Sequence, residues 1–561
     1  MTLESTLILE VGRRNRIGKR LVTIRDRHTK DEIYRDRIDT NSATSRKRLL
    51  KGVQDRITCE RQVLEQLEKS LLVASDEADR RTVDSRAGED SDSRPNSTEL
   101  LLSLCNDLSL VYTDDSVTYA VLETKQNLQT LEIRRKPFRN WLTKEFYDRQ
   151  SKAPPDQALQ SAIDTLEAKA SSEGTREQVY LRTCKIDDAI YIDLANDSWE
   201  VIKITAERWE VLSKSPVRFR RTASMKQLPM PERGGTLDEL QKILNVDPPQ
   251  WPLVAGWLLA CFNTEIPYPV LCLTGEQGGA KSTTARILRA IVDPNVAPIR
   301  SAARNEQDLF VSANNNWVIA FDNISKLKQS ISDALCRLST GGGFSTRKLY
   351  ADGDEVIFSA RRPIILTGIE EVITQPDLLD RSLLVELKAI EPADRITERT
   401  FNQKFDEIYP RTLGAICDLL VIGLMNVNQI TLASLPRMAD FATWVVACSQ
   451  TKRERDLFMS TYQKNRGRGD QIAIESEPLA VTLIEFTHSQ DGSWSGTMTD
   501  LIGELKLFEP QLMKEPALKS PQSMSGFIKR LKPAFKAVGL LVDKSRQTRE
   551  RIVSLQRITT F

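Results

Sequence analysis

The chain runs to 561 residues, too long for one compact core, and 79 Lys plus Arg against 77 Asp plus Glu leave a formal net charge of +2. So small an imbalance excludes a polycation that binds nucleic acid over its whole surface, and any such surface must be local. Apolar residues make up 40%, no run approaches the roughly 20 apolar residues of a spanning helix, and eight scattered cysteines have only His28 and His488 beside them, so neither membrane span, zinc site nor disulfide framework is expected. The first residues carry no basic stretch followed by an apolar core, and a soluble, cytoplasmic protein is the expectation.

Residues 1–75 read as a small, mostly α unit: Leu49, Leu50, Val53, Ile57, Val63, Leu64, Leu67 and Leu71 recur at near-helical spacing after a strand signal at 21–24. Residues 76–97 are dense in Asp, Ser and Arg and nearly devoid of large apolar side chains, the composition of a disordered linker. Residues 98–235 alternate apolar runs (189–194, 199–204) with amphipathic stretches such as 157–170, an α+β pattern without a catalytic constellation. A helical collar is expected over 236–266, with Trp251 and Trp257 as core and Pro267-Tyr268-Pro269 closing it. An α/β core over 267–395, a helical lid over 396–476 and a basic unit over 477–561 follow, and no internal repeat is evident.

The core opens on an apolar run at 270–274, followed by Gly275, Glu276, Gln277, Gly278, Gly279, Ala280, Lys281, Ser282 and Thr283, then by Ile287, Leu288, Ile291 and Val292 on one helical face. Strand, Gly-rich loop and helix start bring backbone N–H groups and the positive helix end onto one anion, with Lys281 placed for the β- and γ-phosphates. ATP is the implied ligand, with Mg²⁺ held by the Ser282 hydroxyl. Ala280 stands where Gly is usual, at little cost if its φ is negative and more if it is not.

A second apolar run, 317–321, ends in Asp322-Asn323, where a carboxylate next to the Ser282 loop can serve the metal. Most hydrolytic motors place Asp or Glu after this Asp; Asn323 can position a water but cannot accept its proton, and Glu276, Glu370 and Glu371 are alternatives the sequence does not rank. A third run, 363–367, ends in Thr367, at the position of a γ-phosphate sensor. Past it comes Leu378-Leu-Asp380-Arg381-Ser382, where Arg381 is placed to reach the nucleotide of a neighbouring subunit.

Between the second and third runs lies Leu338-Ser-Thr-Gly341-Gly-Gly343-Phe-Ser-Thr-Arg347-Lys348-Leu-Tyr350. This order of elements, over roughly 237–390, resembles the superfamily 3 helicase ATPases, in particular the poxvirus- and phage-type primase-helicase proteins of mobile elements. It also resembles a group of bacterial ATP-binding proteins related to them. The resemblance implies an α/β P-loop NTPase core, AAA+-like, in a usually hexameric ring that threads nucleic acid while hydrolysing ATP. The runs 345–350 and 355–359 flank Asp352-Gly353, a hairpin turn signal. In the family such a hairpin contacts DNA, which nominates Arg347 and Lys348 for phosphates and Phe344 or Tyr350 for bases, although the tip, Asp352 and Asp354, is acidic.

From residue 519 onward, 10 basic residues face 2 acidic ones. Over 523–538, Phe527, Ile528, Leu531, Phe535 and Val538 share one helical face and Lys529, Arg530, Lys532 and Lys536 the other, with Pro533 placed to kink or split the helix. Two strand signals separated by Lys544-Ser-Arg546-Gln-Thr-Arg549 complete a winged-helix-like pattern, helix in a groove and wing on the backbone. The resulting expectation is an ATP-dependent motor on single-stranded or forked DNA, a DNA helicase of a mobile element, oligomeric, with a primase acting in trans as a further partner. Its rivals are a nucleotide-gated switch or loader with little hydrolysis, and a small-molecule phosphotransferase, for which the sequence offers no acceptor pocket.

Overall fold

The computed structural model describes residues 7–14, 20–26, 29, 32–39, 43–56, 64, 67–71, 96–124, 127–347, 355–369, 372–547 and 550–558. Nearly all of the expected linker lies outside them. The chain divides into two compact units, Met1–Leu100 and Leu101–Phe561.

The first unit corrects the mostly α expectation. Strands Leu7–Arg14, Arg20–Asp26 and Glu32–Ile38 form an antiparallel sheet in that order, followed by the helix Ala43–Gln54. Val22, Ile24 and Ile38 close on Leu49, Leu50, Val53, Leu67 and Leu71. The outer strands, LILEVGRR and EIYRDRI, are half charged, so a one-sided sheet hides behind a polar composition.

In the second unit, residues up to 236 build two four-stranded sheets. One pairs Leu128–Glu132, Thr118–Glu123, Ser109–Tyr112 and Thr175–Arg176, flanked by helices Lys136–Gln150 and Asp156–Glu173. The other is antiparallel, in the order Trp209–Leu212, Val201–Ile204, Ala189–Asp193 and Thr183–Ile186. The helical collar expected over 236–266 consists of two helices, α1 (Leu237–Ile243) and α2 (Trp251–Ala260), because Pro248 and Pro249 remove two backbone donors and hold a 3-10 turn between them.

The core then follows in chain order: β1 (Val270–Thr274), α3 (Lys281–Val292), α4 (Glu306–Asn315), β2 (Ile319–Phe321), α5 (Gln329–Thr340), the antiparallel pair β3 (Gly343–Arg347) and β4 (Glu355–Ser359), β5 (Ile364–Thr367), the one-turn α6 (Pro376–Leu379) and β6 (Ser382–Glu386). Strands β2, β5, β1 and β6 form a parallel sheet in that order, and Arg300 adds a single parallel bridge to Phe321 beyond β2. Alternation along β1 sends Leu271 and Leu273 into one apolar core and Val270 and Cys272 into another.

The first core is filled by Ile287, Leu288 and Ile291 of α3, by α2, and by α7 (Glu398–Asn426), α8 (Ala439–Cys448) and α9 (Lys452–Glu475), and it takes in Ile190, Ile192, Ile202 and Ile204 of the antiparallel sheet. Collar and lid are thus one helical layer. With its following turn, α7 is long and apolar enough by length and composition to cross a membrane, but half of that stretch is buried in this core, Leu413, Ile416 and Leu420 among it. The second core is completed by α10 (Pro478–Ser489), β7 (Ser493–Thr497), α11 (Met498–Phe508), α12 (Pro521–Ala537), β8 (Leu540–Gln547) and β9 (Glu550–Arg557), with sheet order β7-β9-β8. Helix α12 runs unbroken through Pro533, and Leu483, Phe527, Leu531 and Phe535 share their core with Cys272 and Leu366.

A buried ion pair fixes the far end of α3. Arg182, fully buried, donates to Asp293 Oδ1 at 3.1 Å and to the Asp193 and Lys226 carbonyls, while Asp293 Oδ2 accepts the Trp317 and Val318 N–H groups ahead of β2. Every buried hydrogen-bonding group of this guanidinium has a partner, which offsets the cost of burying it.

Candidate nucleotide site

Because β1, β2, β5 and β6 are parallel, their C-terminal ends share one edge of the sheet, where ligands settle in open α/β sheets. Gly275 leaves β1 at φ +130°, and a Cβ there would lie 2.1 Å from the Leu387 carbonyl oxygen, so only glycine fits. Gly278 is also left-handed, at φ +85°. Ala280, immediately before α3, has φ +57°. The position usually held by Gly does require left-handed backbone, and alanine there costs about 1–2 kcal/mol.

Lys281 opens α3 and folds its ammonium back over the loop, Nζ donating to the Gly275 carbonyl at 2.8 Å and the Glu276 carbonyl at 2.6 Å. Burial pushes its pKa below the usual lysine range, and the Asp322 carboxylate pulls the other way. Ser282 Oγ donates to Asp322 Oδ1 at 2.8 Å, and Thr367 Oγ1 donates to that same oxygen. The Asn323 N–H in turn donates to Thr367 Oγ1 at 3.1 Å. Residues from three separate chain segments therefore meet in one hydrogen-bonded set. Thr367 is buried and its one hydrogen is used on Asp322, so it positions the carboxylate rather than facing outward as a phosphate sensor. Asn323 is left-handed at φ +54° and exposed, and Glu276 is exposed on the loop; Glu370 and Glu371 lie outside the described residues.

Arg381 is not part of this set. It precedes β6, its carbonyl accepting the Val270 N–H at the start of β1, so a whole strand, about 15 Å at roughly 3.3 Å per residue, separates it from its own loop. Its guanidinium pairs with Asp377 and donates to the Asp377 carbonyl at 2.7 Å. Arg437 bridges Asp377 and Asp380, and Arg466 also holds Asp380.

The hairpin exists as β3 and β4, with Phe344 opposite Phe358 and Arg347 opposite Glu355. Lys348, Tyr350 and the acidic tip fall outside the described residues. On α12, Lys529 is exposed, Arg530 pairs with Glu477 at 3.3 Å and Lys532 with Asp543 at 3.0 Å. Arg546 lies on β8, and Arg549 is outside the described residues. Lys544 donates to Ser525 Oγ, and its pKa is pushed down by burial and then by Lys532 and Lys529, a sign of ammonium groups crowded on one face.

Two contributors to the loop were not legible in the sequence. Asn245, between α1 and α2, donates to the Gly279 carbonyl at 3.0 Å and the Lys388 carbonyl at 2.7 Å. The segment after β6 crosses the loop, the Leu387 N–H donating to the Thr274 carbonyl at 2.8 Å and the Ile390 N–H to the Gly278 carbonyl at 3.2 Å. It ends at Arg395, whose Nη2 lies 3.5 Å from where a Gly278 Cβ would stand.

This layout belongs to a chain with two matches to one group of proteins. Residues 237–464 match the model of the actinomycete integrative conjugative element replication protein, and residues 479–560 match the model of the RepA C-terminal domain of such elements. The chain is a replication protein of a mobile genetic element. More narrowly, those two stretches, together more than half of the chain, assign it to the RepA replication proteins of actinomycete integrative conjugative elements. No curated protein matches it. Two solved structures of the NrS-1 C-terminal region are similar at 10% and 11% identity, over 83% and 82% of this chain and 100% and 98% of theirs, with TM-scores of 0.35 and 0.34; likeness at that level carries no argument.

Proposed function

We propose that this replication protein is an ATP-dependent nucleic-acid motor, a ring-forming DNA helicase built on an α/β P-loop NTPase core of AAA+-like, superfamily 3 type. The observation that carries the reading is the meeting of Lys281, Ser282, Asp322 and Thr367 at the C-terminal edge of a parallel sheet, beside a loop with left-handed residues at 275, 278 and 280. Loop N–H groups from Gly275 to Thr283 would cradle the phosphates and Lys281 would neutralise them. For Mg²⁺ the donor set fits: a hydroxyl and a carboxylate oxygen 2.8 Å apart match adjacent corners of an octahedron of roughly 2.1 Å radius, about 3 Å apart. Bound there, the ion would supply positive charge against the phosphates; Thr367 holds Asp322 in place for it, and Asn323 would orient the attacking water.

Arg381 is out of reach of its own loop, which suits a residue that completes the site of the next subunit in a ring. The order α10-β7-α11-α12-β8-β9 is that of a winged helix, with Lys529, Lys532 and Lys544 clustered where phosphates would be met. Steady-state ATP hydrolysis with and without single-stranded DNA, alongside the mass in solution, tests the reading. Lys281-dependent turnover by an oligomer, raised by DNA, is expected; DNA-independent hydrolysis by a monomer would contradict it.

A second reading, a nucleotide-gated DNA-binding switch or loader, is favoured by Asn323 in place of an acid and by the Thr367 hydroxyl being committed to Asp322. It predicts tight ATP binding with turnover well below the ordinary enzyme scale of about 1 s⁻¹.

A further inference from the structure

The loop has a second cation besides Lys281. Arg395 lies beyond β6, two residues before Thr397, whose side chain caps α7 by accepting the Thr400 N–H. Its Nε donates to the Ile390 carbonyl at 3.1 Å, and Ile390 is itself tied to the Gly278 carbonyl. The guanidinium is therefore held by its inner nitrogen, with Nη2 against Gly278. A Cβ at Gly278 would stand in ordinary contact with that nitrogen, and the left-handed φ of +85° is what disfavours a side chain there.

Charge separates Arg395 from its neighbours. Lys388 pairs with Asp247 at 2.7 Å and Arg286 with Glu398 at 2.5 Å. Among the described residues, Arg395 and Lys281 make no ion pair; both spend their donors on backbone carbonyls beside the glycine loop. Two cations beside one glycine loop, with no ion pair of their own among the described residues, call for a ligand with more than one negative phosphate, and the planar fork of Arg suits phosphate oxygens.

We propose that Arg395 binds the phosphate chain of a nucleoside di- or triphosphate, a contact that also ties the start of α7 to the loop. This rests on the reading of the loop as a nucleotide site. Titration of fluorescently labelled ATP and ADP into the full chain tests it, using wild type, Arg395→Ala, Arg395→Lys and Lys281→Ala. Arg395→Ala is expected to weaken both nucleotides about tenfold, the scale of one lost charge-assisted hydrogen bond, and Arg395→Lys to recover part of it. Because Arg395 is exposed, melting without nucleotide should be unchanged. If wild type binds and Lys281→Ala does not, while Arg395→Ala binds within twofold of wild type, the Arg395 assignment is wrong and the loop reading stands. If wild type binds neither nucleotide, both fall.

Discussion

The two edges of the parallel sheet differ in how far one chain completes them. At the C-terminal edge, Ser282, Asp322 and Thr367 converge within hydrogen-bonding distance beside Lys281, and among the described residues Lys281 and Arg395 make no ion pair. At the opposite edge Arg381 is wrapped by its own neighbours, Asp377 directly and Arg437, Asp380 and Arg466 around it. The first edge has the charge of a site waiting for an anion; the second is neutralised internally. A residue that acts on another subunit's ligand needs such a resting arrangement, because an unpaired, largely buried Arg would cost more than one held by a carboxylate.

Substitutions at the two edges should therefore separate binding from turnover. Arg381→Ala should lower ATP turnover about 10³-fold, the scale of an arginine finger, while leaving ATP affinity within about twofold; hydrolysis and nucleotide titration on the same preparation check this. Lys281→Ala, at the other edge, should weaken ATP itself, about 100-fold, by removing the charge over the loop. Thr367→Val keeps the volume but removes one donor to Asp322, and a fall in turnover of about tenfold with little change in affinity is expected in the same assays. The smallest effect belongs to Ala280→Gly. Relief of left-handed strain, partly offset by the entropy of glycine in the unfolded chain, should stabilise the protein by about 0.5–1 kcal/mol, read from the denaturant midpoint without nucleotide.

Much of the first edge was legible because its signals are local. The apolar run at 270–274 and the glycines after it are a strand and a loop with three left-handed residues, and the run ending at Thr367 is a strand from Ile364. What failed was whatever depends on distant chain. Asn245 and Arg395 reach the loop only because the collar and the segment after β6 fold over it, and neither sits in a motif. Thr367, expected at the position of a γ-phosphate sensor, commits its hydroxyl to Asp322. In the first unit the signal at 21–24 marked the strand Arg20–Asp26, whereas the two outer strands were hidden by their charged residues, and β7, SWSGT, by its Ser and Gly content. Pro533 is placed to kink or split the helix, yet α12 does not split there and carries it on an exposed face, where solvent can satisfy the freed carbonyl.

The winged-helix-like module, expected as a separate basic unit, instead shares its core with the face of the sheet opposite α3. Phe527 and Leu531 of α12 belong to the same close-packed core as Cys272 of β1 and Leu366 of β5.

The most direct test of a site divided between chains is to mix two inactive variants. On the proposed reading Lys281→Ala lacks the loop cation and Arg381→Ala lacks the residue that would serve the neighbour, so a mixed oligomer would contain some interfaces with both residues intact. ATP hydrolysis should reappear on mixing, at a fraction of the wild-type rate that depends on the mixing ratio. Hydrolysis that stays at the sum of the separate variants, in mixtures shown by mass to exchange subunits, would contradict the shared site and leave Arg381 as an internal ion pair.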